Sequence, residues 1–335
     1  MTSILVRAVI AMAVSLLVAP PLLVLLRRGH VLDHPSARSS HATPTPRGGG
    51  VAPAAGALLA LAVTPFLTGD VRWALVVAAG TFGLVGLLED VVGIGALRRL
   101  GAQFAAAVCA GVFLLHGLTG PALWRGIFAI GVVFWLVAFV NAYNFMDGID
   151  GISVAQAVGT GVTWFVVGRL AGSPVLAAGG AIAAGAALGF APYNLPHARM
   201  FLGDVGSYSI GAWLAAVAVL ALRAGVRPEA VLAPLALYLA DTGTTLLRRV
   251  VRGQRWYLPH RDHAYQRLTD AGWSHVQVSG VVLAFIGTCG LLGAASLGDS
   301  VPARVAGDLA IIALIGAYLF SPRWIARLPG TRTDR

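Results

Sequence analysis

Eleven apolar runs, each near the length needed to cross a lipid bilayer, follow one another along the 335 residues, and they leave little freedom of fold. They lie at about 3–26, 50–68, 73–88, 100–118, 126–143, 152–168, 174–191, 207–222, 230–247, 276–296 and 305–321. A hydrocarbon core of about 30 Å takes about 20 apolar residues per helix. Several runs are short by that measure, so the count is ten or eleven. A soluble chain would have nowhere to bury so many of them. Only 11% of residues are charged, well under half of the roughly 25% usual in soluble domains. The 42 glycines suit close approach of helices in lipid. The expected fold class is all-α: a polytopic integral membrane protein forming one domain over residues 1–335. The first run contains Pro20-Pro21 and leads into Arg27-Arg28, which reads as a retained helix rather than a cleaved signal. Cys109 and Cys289 fall within apolar runs, so no disulfide framework is implied.

Every basic residue besides histidine is an arginine, and the net charge is +10. The arginines are spread over loops instead of forming a stripe, which argues against a nucleic-acid partner. Basic residues stay on the cytoplasmic side of a membrane. Segments 27–47, 89–99, 190–206, 248–275 and 322–335 hold 17 of the 24, and the alternate loops hold 7. That asymmetry predicts an external N-terminus and, with eleven crossings, a cytoplasmic C-terminus. Residues 248–275 become a large basic cytoplasmic loop.

The polar segments then fall on that same face: Asp33–Gly50, Glu89-Asp90, Asn141–Gly151, Tyr193–Ser207 and Arg248–His275. Acidic groups near membrane spans are costly and usually face an interior or an aqueous cavity. Glu89-Asp90 alone would pass for a helix end. Asn141, Asn144, Asp147 and Asp150 recur every three residues; in an α-helix each such step drifts by roughly 60°, whereas a 3₁₀ turn keeps them aligned. Two carboxylates and two carboxamides suit a sugar, a ribose, a base edge or the water shell of a metal. Asp204 lies between Gly203 and Val205-Gly206 just before the eighth run. It can coordinate a hard cation while phosphate oxygens approach, and it can also cap the helix. Arg47 beside Gly48-Gly49-Gly50 makes an anion cradle at a helix entrance. His260 and His263 lack the further ligands of a zinc site, so contact with phosphate or sugar is expected of that loop. Asp241 sits in a run that ends at Arg248-Arg249; it either pairs with an arginine or joins the site.

At these residues, from about Asp33 to Arg267, the chain closely resembles the polyprenyl-phosphate N-acetylhexosamine-1-phosphate transferases, which include the phospho-N-acetylmuramoyl-pentapeptide transferases. The family's acidic pair falls on Glu89-Asp90, with Glu where Asp is usual. Its Asn-x-x-Asp-Gly-x-Asp-Gly run falls on Asn144–Gly151. Its Asn-x-Pro-Ala-x-x-Phe-x-Gly-Asp run falls on Asn194–Asp204, with His197 in place of Ala. Its histidine-containing loop falls on His260–Arg267. The final loop and Pro44–Gly50 are similar to the branch that starts O-antigen and related surface polysaccharides. The muramoyl-pentapeptide branch carries lysines near these motifs, and this chain has none.

The resemblance implies transfer of N-acetylhexosamine 1-phosphate from a UDP-sugar to undecaprenyl phosphate, with release of UMP, at the cytoplasmic face of the inner (plasma) membrane. It implies magnesium, with manganese as an alternative, held by Asp204. It implies catalytic roles for Glu89, Asp90, Asp147 and Asp150, with Asp90 taking a proton or helping to place the metal. Substrate contacts fall on Asn141, Asn144, Asn194, Phe201 (the uracil-stacking ring), Arg47, His260, Arg261 and His263, with Arg199 as a further cation. A homodimer is compatible with this reading. A transporter is the competing class, since intramembrane Asp and broken helices mark transport pathways too. Transporters place such residues near the midplane, and paired half-repeats are absent here.

Overall fold

The computed structural model describes residues 2–35, 43–67, 69–255, 260–298 and 300–325. All eleven apolar runs are helical. Eight follow in order as α1 (Thr2–Arg28), α2 (Val51–Ala62), α3 (Gly69–Val92), α4 (Ala96–Leu114), α5 (Ala122–Met146), α6 (Ile152–Leu170), α7 (Pro174–Asn194) and α8 (Gly203–Arg223). The ninth run is broken into α9 (Pro228–Leu232), a 3₁₀ turn (Ala233–Leu235) and α10 (Ala236–Val251). Pro234 explains the break, because proline lacks the N–H that would continue the ladder. Its carbonyl is instead satisfied by Gln156 Nε2 at 3.0 Å and Thr160 Oγ1 at 3.3 Å. A short α11 (Ala264–Asp270) lies in the basic loop, followed by α12 (His275–Ala295) and α13 (Val301–Ile325). A minimal antiparallel ribbon pairs β1 (Leu32–Asp33) with β2 (Thr45–Pro46).

Among the described residues, nine helical segments are long and apolar enough to cross a membrane. The other two of the eleven runs form α2, with 12 residues, and α6, which carries Ser153, Gln156, Thr160 and Thr163 along its length. Both pack among other helices, α2 against α1 and α7, and α6 against α7 and α12. The protein is therefore an all-α, multi-pass membrane protein.

Polar staples gather the helix ends opposite the acidic motifs. Arg7 Nη2 donates to the Val63 carbonyl at 2.9 Å, tying the start of α1 to the end of α2. Arg72 holds the carbonyls of Thr64 and Leu67. His116 meets Asp70 at 2.6 Å, Arg223 donates to the carbonyls of Leu114 and His116, and Arg304 pairs with Glu229. With that end fixed, the segments alternate in direction and bring the motif-bearing ends together at the other. The helix α8 occupies the centre, packed against α3, α5 and α7 and buried over nearly its whole length.

The α3–α8 crossing leaves no room for a side chain near the motifs. A Cβ added at Gly86 would lie 2.2 Å from the Asp204 carbonyl oxygen and 2.6 Å from the Val205 nitrogen. Overpacking of this kind costs about 1–3 kcal/mol. Gly86→Ala is expected to lower the unfolding temperature in detergent, whereas Gly80→Ala, on the same helix with open space beside it, is expected to leave it unchanged.

Candidate active site

The first four N–H groups of a helix have no partner within it. At the N-terminus of α8 two of them are satisfied from another helix. Asp90, near the end of α3, accepts from Asp204 N and Val205 N, both at 2.9 Å, one with each carboxylate oxygen. The Asp90 side chain has no solvent exposure. It thus works as a helix cap and turns no oxygen into the cleft. Gly203 permits the contact: its φ is +74°, and a Cβ there would lie 2.6 Å from Asp90 Oδ2, so both the backbone conformation and the space call for glycine.

Arg47 bridges the pair. Its Nε lies 2.6 Å from Asp90 Oδ1 and its Nη2 3.0 Å from Asp204 Oδ1. Burial would lower the Arg47 pKa, but Asp204 and Asp90 outweigh it and hold the group above its ordinary value. The backbone around Arg47 is stitched to the loop before α8: Phe201 N donates to the Pro46 carbonyl at 2.8 Å, Gly49 N to Phe201 at 2.9 Å and Gly50 N to Leu202 at 2.7 Å. Asp204 Oδ1 also accepts from Asn144 Nδ2 at 2.8 Å, and the same amide reaches Ser207 Oγ at 2.9 Å. On the other side Arg99, in the first turn of α4, lies 3.2 Å from Glu89 Oε1 and 3.8 Å from Asp204 Oδ2. Glu89 Oε2 accepts from Ile94 N at 2.8 Å and so closes the α3–α4 turn.

These groups border a polar cleft of about 330 Å³, lined among others by Arg47, Asn144, Asp147, Asp150, Asn194, Phe201 and Asp204. Seven residues expected from sequence to take part in the site, Arg47 among them, thus share one cavity. Asn194 fixes its wall, accepting from Gly151 N at 2.9 Å and donating to the Met200 carbonyl at 3.3 Å. Asp147 sits on its floor just past the end of α5. Burial, reinforced by the charges of Asp204 and Asp90, pushes its pKa up to about 7.

Other expected residues lie elsewhere. The helix α5 stays α-helical through Met146, so the 3₁₀ alignment of the four-residue polar series does not occur. Helical drift turns Asn141 away from the cleft to donate to Gln103 at 2.7 Å. It lines a second, largely apolar groove of about 690 Å³ between α4 and α5, together with Leu97, Arg98, Arg99, Leu100 and Phe145. Further along the same pair of helices lies a third hollow walled by Phe104, Val108, Val112, Ile130 and Phe134. His263 is buried and turned to Asp241, 3.2 Å away. Asp241 is fully buried and, among the described residues, pairs with no arginine; its oxygens also take Ala264 N, Thr245 and Tyr318, so it anchors the basic loop. His260 packs against Phe145 and His263. Burial and the neighbouring His263 and Arg249 charges lower its pKa to about 4, so at neutral pH it brings no charge to an anion. Arg261 pairs with Asp270 at 2.8 Å, and Arg199 donates to the Pro192 carbonyl over the Tyr193 ring. Neither lines the cleft. The loop's own contribution is Gln266, brought in by α11, whose Tyr265 hydroxyl donates to the Phe145 carbonyl at 3.0 Å.

Arg99 and Gln266 are not among the residues that the sequence marks as site residues, although Gln266 lies within the His260–Arg267 loop and Arg99 in the first turn of the helix after the acidic pair. Ser207 closes the Tyr193–Ser207 segment, where it reads only as a helix cap.

Among the described residues no group of three or more His, Cys, Asp or Glu side chains is arranged to hold a metal by itself. Magnesium does not require one, since it is usually held by one or two carboxylates plus substrate phosphates. Glu89, Asp90 and Asp204 against Arg47 and Arg99 leave one negative charge uncompensated, which favours a cation at this point. The donor set therefore fits.

The sequence profile of glycosyl transferase family 4 matches residues 72–222. A decaprenyl-phosphate N-acetylglucosaminephosphotransferase of Mycobacterium tuberculosis is 30% identical over 319 aligned positions, covering 83% of this chain and 78% of that protein. A probable undecaprenyl-phosphate N-acetylglucosaminyl 1-phosphate transferase of Bacillus subtilis is 28% identical, covering 84% and 82%. A phospho-N-acetylmuramoyl-pentapeptide-transferase of Gluconacetobacter diazotrophicus is also 28% identical, covering 84% and 89%.

The cap geometry separates two acidic residues by role. Asp90→Asn removes charge from a buried carboxylate that holds two N–H groups and an arginine, and breaking such a pair costs about 3–5 kcal/mol. Its unfolding temperature in detergent is expected to fall clearly, whereas Asp204→Asn, which faces the cleft and keeps an acceptor for Arg47, is expected to unfold close to wild type.

Proposed function

This chain belongs to glycosyl transferase family 4, and we propose that it transfers N-acetylhexosamine 1-phosphate from a UDP-sugar to undecaprenyl phosphate. The observation that carries the reading is the meeting of two unlike cavities. A polar, acidic cleft suited to a nucleotide sugar adjoins an apolar groove suited to a polyprenyl tail. Arg99 lines the groove and approaches Asp204 of the cleft, so a lipid phosphate held by Arg99 would face a diphosphate held near Asp204.

In the reaction an oxygen of the lipid phosphate attacks the β-phosphorus of the UDP-sugar. The bond from that phosphorus to the bridging oxygen breaks, and UMP leaves with the bridging oxygen. The products are the lipid diphosphate sugar and UMP. Asp204 would hold magnesium, which neutralises phosphate charge in transfers of this kind. Arg47 and Arg99 add fixed positive charge on either side. Asp147, with a pKa near neutrality, is the cleft carboxylate suited to accept a proton from the lipid phosphate. Asp90 serves the same chemistry indirectly, by holding the N-terminus of α8. Asn144, Asn194, Phe201 and Asp150 hold the nucleoside and sugar, with the site on the cytoplasmic face of the plasma membrane.

The mycobacterial and Bacillus relatives favour N-acetylglucosamine as the sugar; the setting proposed on the sequence resemblance alone is the first step of a surface polysaccharide such as O-antigen. The Gluconacetobacter relative keeps UDP-muramoyl-pentapeptide as the second candidate donor. With purified enzyme, magnesium and undecaprenyl phosphate, UMP release is expected from UDP-N-acetylglucosamine and not from UDP-muramoyl-pentapeptide. Asp204→Asn is expected to lower turnover by about a hundredfold or more. UMP release that needs no lipid phosphate, or normal turnover of Asp204→Asn, would contradict the reading.

A further inference from the structure

Asp150 lies in the turn between α5 and α6, and groups far from it in sequence grip three of its atoms. Its Oδ2 accepts from Ala198 N at 3.2 Å. His275 Nδ1 lies 3.2 Å from the same Oδ2 and 3.3 Å from Asp150 N. Ser279 Oγ donates to the Asp150 carbonyl at 2.9 Å. His275 and Ser279 are four residues apart at the start of α12 and so share one face of it.

The remaining exposure of this cluster opens on a pocket of about 370 Å³, separate from the main cleft, whose lining includes Thr43, Thr45, His197 and His275. Asp150 and Phe201 line both cavities and form the wall between them. His275 is not needed to start its helix, because Ser274 and Gln277 already make a reciprocal capping box. Nor does it build the core, which α12 reaches through Val278, Val282 and Ile286. One ring nitrogen meets two groups with opposite needs. Carrying a proton, Nδ1 donates to the carboxylate; without one, it accepts from the backbone N–H. Either arrangement anchors Asp150.

We propose that His275 is a positioning residue that, from the first turn of α12, sets Asp150 in the wall of the cleft and thereby the affinity for the nucleotide part of the donor. The proposal rests on the reading of the cleft as the nucleotide-sugar site. Asn places its amide nitrogen where Nδ1 lies, whereas Gln reaches towards the position of Nε2. Losing a hydrogen bond to a charged group weakens binding by about tenfold or more. His275→Ala is therefore expected to raise KM for the nucleotide sugar about tenfold while kcat stays within about twofold. His275→Asn is expected to recover most of the loss and His275→Gln to resemble His275→Ala, with all three unfolding at the wild-type temperature. Calorimetric titration with UMP is expected to give the same ranking without turnover. Equal KM and equal UMP affinity in wild type and His275→Ala would overturn the proposal, as would a loss confined to kcat or a fall in unfolding temperature shared by all three variants. A wild-type enzyme that neither binds UMP nor releases it would overturn the reading of the cleft itself.

Discussion

One guanidinium holds the centre of this protein together. At the N-terminus of α8, Asp90 and Asp204 stand close enough that Arg47 touches both. The positive end of the helix dipole favours both carboxylates there, but two like charges so close together would repel without a shared cation. The same arginine belongs to a strand-like segment paired with the loop before α8. Three stretches of chain, around residues 47, 90 and 204, are thereby fixed to one another. Because α8 is the helix that the others pack around, fixing its end also fixes where the ends of α3, α5 and α7 meet.

That arrangement divides the acidic residues by task. Asp90 and Glu89 spend their oxygens on backbone N–H groups and arginines, closing the end of one helix and the turn after another. Asp204, Asp147 and Asp150 are left facing the cleft, each in a different setting: between two arginines, half-buried on the floor, and in a wall shared with a second pocket. The polar cleft and the apolar groove come together at a charged point, where Arg99 of the groove lies beside Asp204 of the cleft; on the proposed function, donor and lipid acceptor would meet there.

Much of this could be read from the sequence. Each of the eleven apolar runs is helical, the ninth broken at Pro234, and nine helical segments among the described residues are long and apolar enough to cross a membrane; the arginine distribution gathered the polar segments that the structure brings to one end of the bundle. Asn144, Asp147, Asp150, Asn194, Phe201 and Asp204 were identified by motif and share one cleft. What could not be read depends on rotation and on long-range pairing. Asn141 has the same spacing as its neighbours, yet helical drift places it in the apolar groove. The acidic pair gives no hint that Asp90 would cap a helix more than a hundred residues later. His263 looks like a ligand for an anion until Asp241, on a separate helix, is seen to claim it. Arg99 and His275 lie in first turns of helices, where no local pattern distinguishes them from ordinary solvated residues.

The central claim is that Arg47 and Asp90 act as one unit holding α8, and a double-mutant cycle tests it most directly. The unfolding free energies of wild type, Arg47→Gln, Asp90→Asn and the double variant would be measured in mixed micelles titrated with SDS. Residues sharing a buried charge network show coupling of about 0.5–3 kcal/mol, whereas independent sites add to within about 0.5 kcal/mol. The account predicts coupling near the top of that range, with the double variant little worse than the more damaging single one. Additive effects of the two substitutions would contradict it.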